Sequence, residues 1–153
     1  MFRGVRNGNV DAKGRLKLPA SVKRSYKEKY NRMDLFVTSL RGDVVKVFPL
    51  REWEAVEELL ARKSTGTDQA IDGKVKNKIL FQTNHFGAEE SLDGQGRVLI
   101  PAGLRRSAGM RGPVRIQWQA NHMLVMNEAR YNEAAEANAL SESDMLHAAN
   151  LGL

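Results

Sequence analysis

Two kinds of hydrophobic spacing alternate along this chain. Leu16 and Leu18 stand two apart with Arg15 and Lys17 between them, the period-two pattern of a strand with one buried face. Val10 closes an extended segment just upstream, and Asp11-Ala12-Lys13-Gly14 separates the two. An Asp at the start of a four-residue turn can bond its own backbone, and a Gly at its end accepts positive φ. Residues 11–14 therefore predict a hairpin turn with a Gly bulge. Pro19 stops the strand and suits the first turn of a helix, in which Val22 and Tyr26 stand at i, i+4. Residues 34–48 then give two β-rich runs around Arg41-Gly42-Asp43. After Pro49 the spacing turns helical, with Leu50, Trp53, Val56, Leu59 and Leu60 expected on one stripe.

The pattern returns. Residues 11–25, DAKGRLKLPASVKRS, and residues 93–107, DGQGRVLIPAGLRRS, share seven of fifteen positions at an offset of 82. Chance would give about one identity at roughly 5–7% usage of a common residue. The identities are Asp11/Asp93, Gly14/Gly96, Arg15/Arg97, Pro19/Pro101, Ala20/Ala102, Arg24/Arg106 and Ser25/Ser107. In the second copy Leu104 and Ala108 take the helical spacing, and Gly109 is the expected helix stop. Residues 113–126 supply two more β-rich runs around Ala120-Asn121-His122, and 127–140 are Ala- and Glu-rich and helical in character. Residues 64–68, STGTD, read as a turn, and a short helix is expected over about 69–80. Each half is thus strand, turn, strand, short helix, strand, turn, strand. The repeat divides the chain into a first unit over 1–52, a helical connection over 53–83, a second unit over 84–130, and a C-terminal helix and tail over 131–153. The sequence leaves the order of residues 141–153 open.

Charge changes the picture more than composition does. The net charge is +6, but residues 1–30 alone carry nine cations against Asp11 and Glu28, a local +7. Residues 131–153 carry Glu133, Glu136, Glu142 and Asp144 with no Lys or Arg. Such a basic segment points to a polyanion partner; the plain alternative is a solubilising surface. The absence of cysteine excludes disulfides and thiolate zinc sites. No apolar run reaches the roughly 18 residues of a membrane span, and the N-terminus lacks a signal-peptide core, so a cytoplasmic location is expected.

No phosphate-loop, nucleophile-elbow or zincin pattern occurs, and His85, His122 and His147 lack metal-ligand spacing. Asp11 and Asp93 read as turn formers rather than a catalytic carboxylate pair. The expectation is no enzyme activity, no cofactor, no metal and no small-molecule substrate. Lys74, Lys76 and Lys78 read as a solvated face, and Trp53 and Trp118 as anchors of a core or a subunit interface.

Two in-phase copies of Asp-x-x-Gly-Arg-Φ-x-Φ-Pro, each with a basic pair four to five residues after the Pro, resemble the MraZ family. So do the opening Met1-Phe2-Arg3-Gly4 and the Pro49-to-Trp53 spacing. The resemblance implies an α+β fold of duplicated AbrB-type swapped-hairpin units, interdigitated into a β-barrel with short helices packed outside. It also implies a nucleoid-associated regulator of transcription, binding repeated double-stranded DNA sites at the promoter of the division and cell wall gene cluster, and a homo-oligomer, expected as a ring. On this resemblance Arg15 and Arg97 carry DNA contact, and the basic pairs fall on Lys23 and Arg24 and on Arg105 and Arg106. Arg3, Lys13 and Lys17 complete the expected DNA-binding set.

The copies differ. Lys13 and Lys17 become Gln95 and Leu99, Ser21 becomes Gly103, and Glu89 and Glu90 replace Asn7 and Gly8. The first copy is therefore expected to dominate DNA contact. The competing reading is a protein-binding module, such as an AbrB-type antitoxin or an enzyme-regulating subunit. An antitoxin of this class usually has one hairpin unit and a long disordered tail, whereas this chain has two units and a short acidic tail.

Overall fold

The computed structural model describes residues 2–31, 33–62 and 73–153. The expected turn at 64–68 and the start of the expected 69–80 helix lie outside the described residues.

The first half builds strands β1 (Val5–Val10) and β2 (Arg15–Lys17), helix α1 (Ala20–Tyr30), strands β3 (Asp34–Thr38) and β4 (Val45–Pro49), and helix α2 (Leu50–Ala61). Helix α3 (Gly73–Phe86) leads into the second half, with strands β5 (Ala88–Ser91) and β6 (Arg97–Leu99), helix α4 (Ala102–Ala108), strands β7 (Gly112–Gln119) and β8 (His122–Asn127), and helices α5 (Glu128–Ala137) and α6 (Glu142–Asn150). Each half shows the expected order of four strands around one short helix.

The strands form one antiparallel sheet in the order β5-β3-β4-β8-β7-β1-β2-β6. Four of its ladders join the halves: β1 with β7, β2 with β6, β3 with β5, and β4 with β8. The end strands β5 and β6 meet at their own hairpin, where the Asp93 amide donates to the Arg97 carbonyl at 3.0 Å. The sheet is therefore a nearly closed barrel with interleaved halves and little free edge. The fold class is as the motifs implied.

Alternation places the core. Leu16, Leu18, Val37, Val47, Val98, Ile100, Ile116 and Val125 point into the barrel and are buried, with Val22 and Leu104 sealing it from α1 and α4. A second cluster lies outside, where Trp53 of α2 packs on Phe36 and Phe48 at ring-centroid distances of 4.7 and 5.1 Å. Trp118 lies at the barrel end away from the 11–14 turn, half-buried and stacked on Phe2 at 4.4 Å.

Two local expectations are corrected, and one open question is answered. Leu59 is 58% exposed, not part of the buried stripe. At about 100° per residue, nine steps carry it to the side opposite Leu50. Helix α3 runs on to Phe86 rather than stopping near residue 80, because Thr83 is tied into the barrel; the Thr38 hydroxyl donates to its carbonyl at 2.7 Å. The C-terminal segment, left open by the sequence, forms a helix. Ser141 and Asp144 form a reciprocal capping box that starts α6, although no residue of α5 or α6 is buried.

Candidate nucleic-acid interface

The two Asp-x-x-Gly-Arg elements are superimposable in their bonding. Asp11 Oδ1 accepts from the amides of Lys13 and Arg15 at 3.0 and 2.9 Å, and Oδ2 accepts from Arg15 Nε at 2.9 Å. Asp93 repeats this with the amides of Gln95 and Arg97 at 2.9 and 2.8 Å and with Arg97 Nε at 2.7 Å. The amides of Gly14 and Gly96 close the turns onto the Asp11 and Asp93 carbonyls, and both glycines adopt positive φ, +83° and +76°. The bond from the Arg97 amide is the main reason the Asp93 carboxyl is held at a pKa of about 2. The corresponding bond from the Arg15 amide lowers Asp11 below the usual carboxylate range.

The turns also hold each other. The Leu18 amide donates to the Gly96 carbonyl and the Ile100 amide to the Gly14 carbonyl, both at 2.9 Å. Between them β2 and β6 make a short two-stranded ribbon in which Arg15 faces Leu99, Leu16 faces Val98, and Lys17 faces Arg97. Leu16 and Val98 are wholly buried, so alternation turns Arg15, Lys17, Arg97 and Leu99 to the outer face. Two cations thus stand directly opposite each other, with Asp93 offsetting charge at Arg97. Within the guanidinium each Asp engages only Nε. Among the described residues neither arginine uses its terminal nitrogens, which remain a fork suited to a phosphate or the edge of a guanine.

The structure divides the other expected residues. Lys13 is exposed at the first tip. Lys23 crosses to the other unit, where its Nζ donates to the Gly94 carbonyl at 2.6 Å. Arg105 makes the reciprocal crossing: its guanidinium lies over Gly14, where any Cβ would collide with it. The second residues of the pairs, Arg24 and Arg106, are exposed. Arg3 stands apart, eight residues before Asp11 and on the order of 25 Å of extended chain from the tip. Sequence reasoning passed over Arg111, which lies beside Arg105, Arg106 and Asp11. Its position after the αL cap Gly109 was the available signal. Among the described residues there is no group of three or more His, Asp or Glu placed to hold a metal, and no helix long and apolar enough to cross a membrane.

Comparison with known proteins agrees with the motif. A family model described as "MraZ protein, putative antitoxin-like" matches residues 1–73. The chain is similar to the transcriptional regulator MraZ of Acidobacterium capsulatum, at 38% identity over 153 residues covering 100% of both chains. The transcriptional regulator MraZ of Koribacter versatilis is 32% identical, again over 100% of both chains. That of Thioalkalivibrio sulfidiphilus is 32% identical over 94% of this chain and 98% of its own. These relatives are named as regulators, not as enzymes.

Proposed function

The chain belongs to the MraZ family, and we propose that it regulates transcription by laying the β2–β6 ribbon and its turns against double-stranded DNA. The observation that carries this is the ribbon's outer face: three cations, two of them paired across one ladder position. A two-stranded ribbon fits a major groove about 12 Å wide. There Lys17 and Lys13 would meet phosphates, while Arg15 and Arg97 offer terminal nitrogens that their aspartates orient but do not occupy. Among the described residues no group is placed for bond-making chemistry; the site binds and orients.

One ribbon makes few contacts. Sequence-specific binding then calls for several copies acting on repeated promoter sites, which raises avidity without new contacts. A homo-oligomer, closed as a ring, is the arrangement we favour, acting in the cytoplasm at the nucleoid on the division and cell wall gene cluster. The exposed apolar side chains of Leu140, Met145, Leu146, Leu151 and Leu153 support self-association.

Footprinting on the DNA upstream of the protein's own gene, with gel shifts of Arg15→Ala and Arg97→Ala, tests the reading. Both substitutions should weaken binding, Arg15→Ala more, because Arg15 shares its turn with Lys13 whereas Arg97 shares its turn with Gln95. Equal losses would remove the claim of a dominant first copy, and an unchanged footprint in both would remove the ribbon.

A further inference from the structure

The first turn sits at the edge of a concavity of about 510 Å³ lined by Asp11, Ala12, Arg105, Arg106, Gly109, Met110 and Arg111. The turn comes from the first unit and all three arginines from the second. Helix α4 ends at Gly109 in the αL conformation, φ 61°, and the reversal brings Arg111 back beside the last helical turn that carries Arg105 and Arg106. Among the described residues no ion pair or side-chain hydrogen bond engages any of the three guanidinium groups. Arg105 Nε is buried with no hydrogen-bond partner at all. The acid on the rim pairs elsewhere: Asp11 accepts from two amides and forms its ion pair with Arg15.

Among the described residues the second turn lacks this arrangement, although the duplication would supply it. There Lys23 is occupied by the Gly94 carbonyl. Helix α1 runs for 11 residues where α4 runs for 7, and its αL cap is Asn31. Two residues beyond that cap, where Arg111 stands after Gly109, the first unit has Met33, packed against the core. Three unpaired guanidinium groups around one concavity are chemistry for a phosphate, which accepts forked N–H pairs on several oxygens.

Resting on the DNA-binding reading, we infer that Arg105, Arg106 and Arg111 form a seat for a backbone phosphate beside the first turn. The tip that reads the groove is then anchored by the opposite unit, and among the described residues only the first tip has a complete seat. The apparent excess of charge in the first copy is therefore only part of its advantage; the second copy completes its site.

The test compares Arg106→Gln, Arg111→Gln, Arg111→Lys and Arg24→Gln by fluorescence anisotropy over a salt series. The probes are a duplex from upstream of the protein's own gene and a random duplex of equal length. Arg106 and Arg111 are exposed, so the fold is unaffected, and a melt of each variant checks this. Each Gln variant of the seat should weaken binding roughly tenfold on both duplexes and lower the log–log salt slope by about one. Arg111→Lys should keep the slope. If either Gln variant binds as the parent does while Arg15→Ala weakens binding, the seat is overturned and the ribbon stands. If Arg24→Gln loses as much as Arg106→Gln, the uniqueness of the first tip is overturned. If the parent protein binds neither duplex at low salt, the DNA reading and the seat fall together.

Discussion

Asp11 and Asp93 each close a turn and orient an arginine with the same carboxylate. That dual use has a pH signature. The Asp93 pKa of about 2 in the folded chain lies below the value of about 3.9 for an unfolded Asp. Its contribution to stability is therefore present above pH ~4 and is lost as the pH falls through about 2. Asp11, also lowered, adds in the same direction. Thermal melts from pH 7 to pH 2 should show this loss, and Asp93→Asn should start with a lower Tm and vary less between pH 4 and 2. A parallel pH curve for Asp93→Asn would assign the effect elsewhere. The two turn glycines should separate in function. Gly14→Ala and Gly96→Ala both force an L residue into positive φ, at ~1–2 kcal/mol each. At position 96 the nearest side-chain atom to a new Cβ is Lys23 Cδ at 3.6 Å, whereas at position 14 the Arg105 guanidinium must move. Similar losses in Tm, with a larger loss of DNA affinity for Gly14→Ala, are expected. The turn residues were legible from the motif because Asp–amide and Gly–φ chemistry is local. The crossing of Lys23 and Arg105 was not, because each side chain serves a turn more than 70 residues away in sequence.

The element that carries the site is also the shortest. Strands β2 and β6 have three residues each and would not pair alone in water. They persist because Leu16 and Val98, paired at the centre, are wholly buried in the barrel. Leu16→Ala should cost ~2–5 kcal/mol and loosen the ribbon as a unit, measured as urea unfolding and as loss of hydrogen-exchange protection at Leu18 and Ile100. Retained protection at both amides would show that the ribbon does not depend on this pair. The alternation that marks β2 and β6 was plain in sequence. Helix limits were less so, since α3 extends to Phe86 only because Thr38 and Thr83 meet across 45 residues. The exposure of Leu59 was available from its angle on α2, but apolar identity alone placed it on the stripe.

Over the whole molecule, the basic ribbon and the C-terminal group of exposed apolar side chains lie on different elements. The basic ribbon belongs to the barrel, while the C-terminal segment is acidic and keeps five large apolar side chains exposed on or beside a capped helix. Nine residues make a marginal helix in isolation, so α6 gains from a partner surface. Removing residues 139–153 should lower the solution mass of the assembly while leaving the melt of the barrel unchanged, because α6 buries none of its residues in the chain. An unchanged mass would count against self-association through this segment. The sequence by itself determined the duplication, the turn chemistry, the order of strands and helices, and the cationic character of the first unit. Those properties follow from residue spacing and from bonds a residue makes with its near neighbours. Only the tertiary structure decided the pairing of β1 with β7 and β2 with β6, and with it the placing of Lys17 against Arg97. It also decided that the first Asp-x-x-Gly-Arg turn is flanked by arginines of the second unit. The physical reason is that each half exposes strand edges and apolar faces it cannot satisfy alone, and burying both sets together is an interleaving that no local pattern encodes.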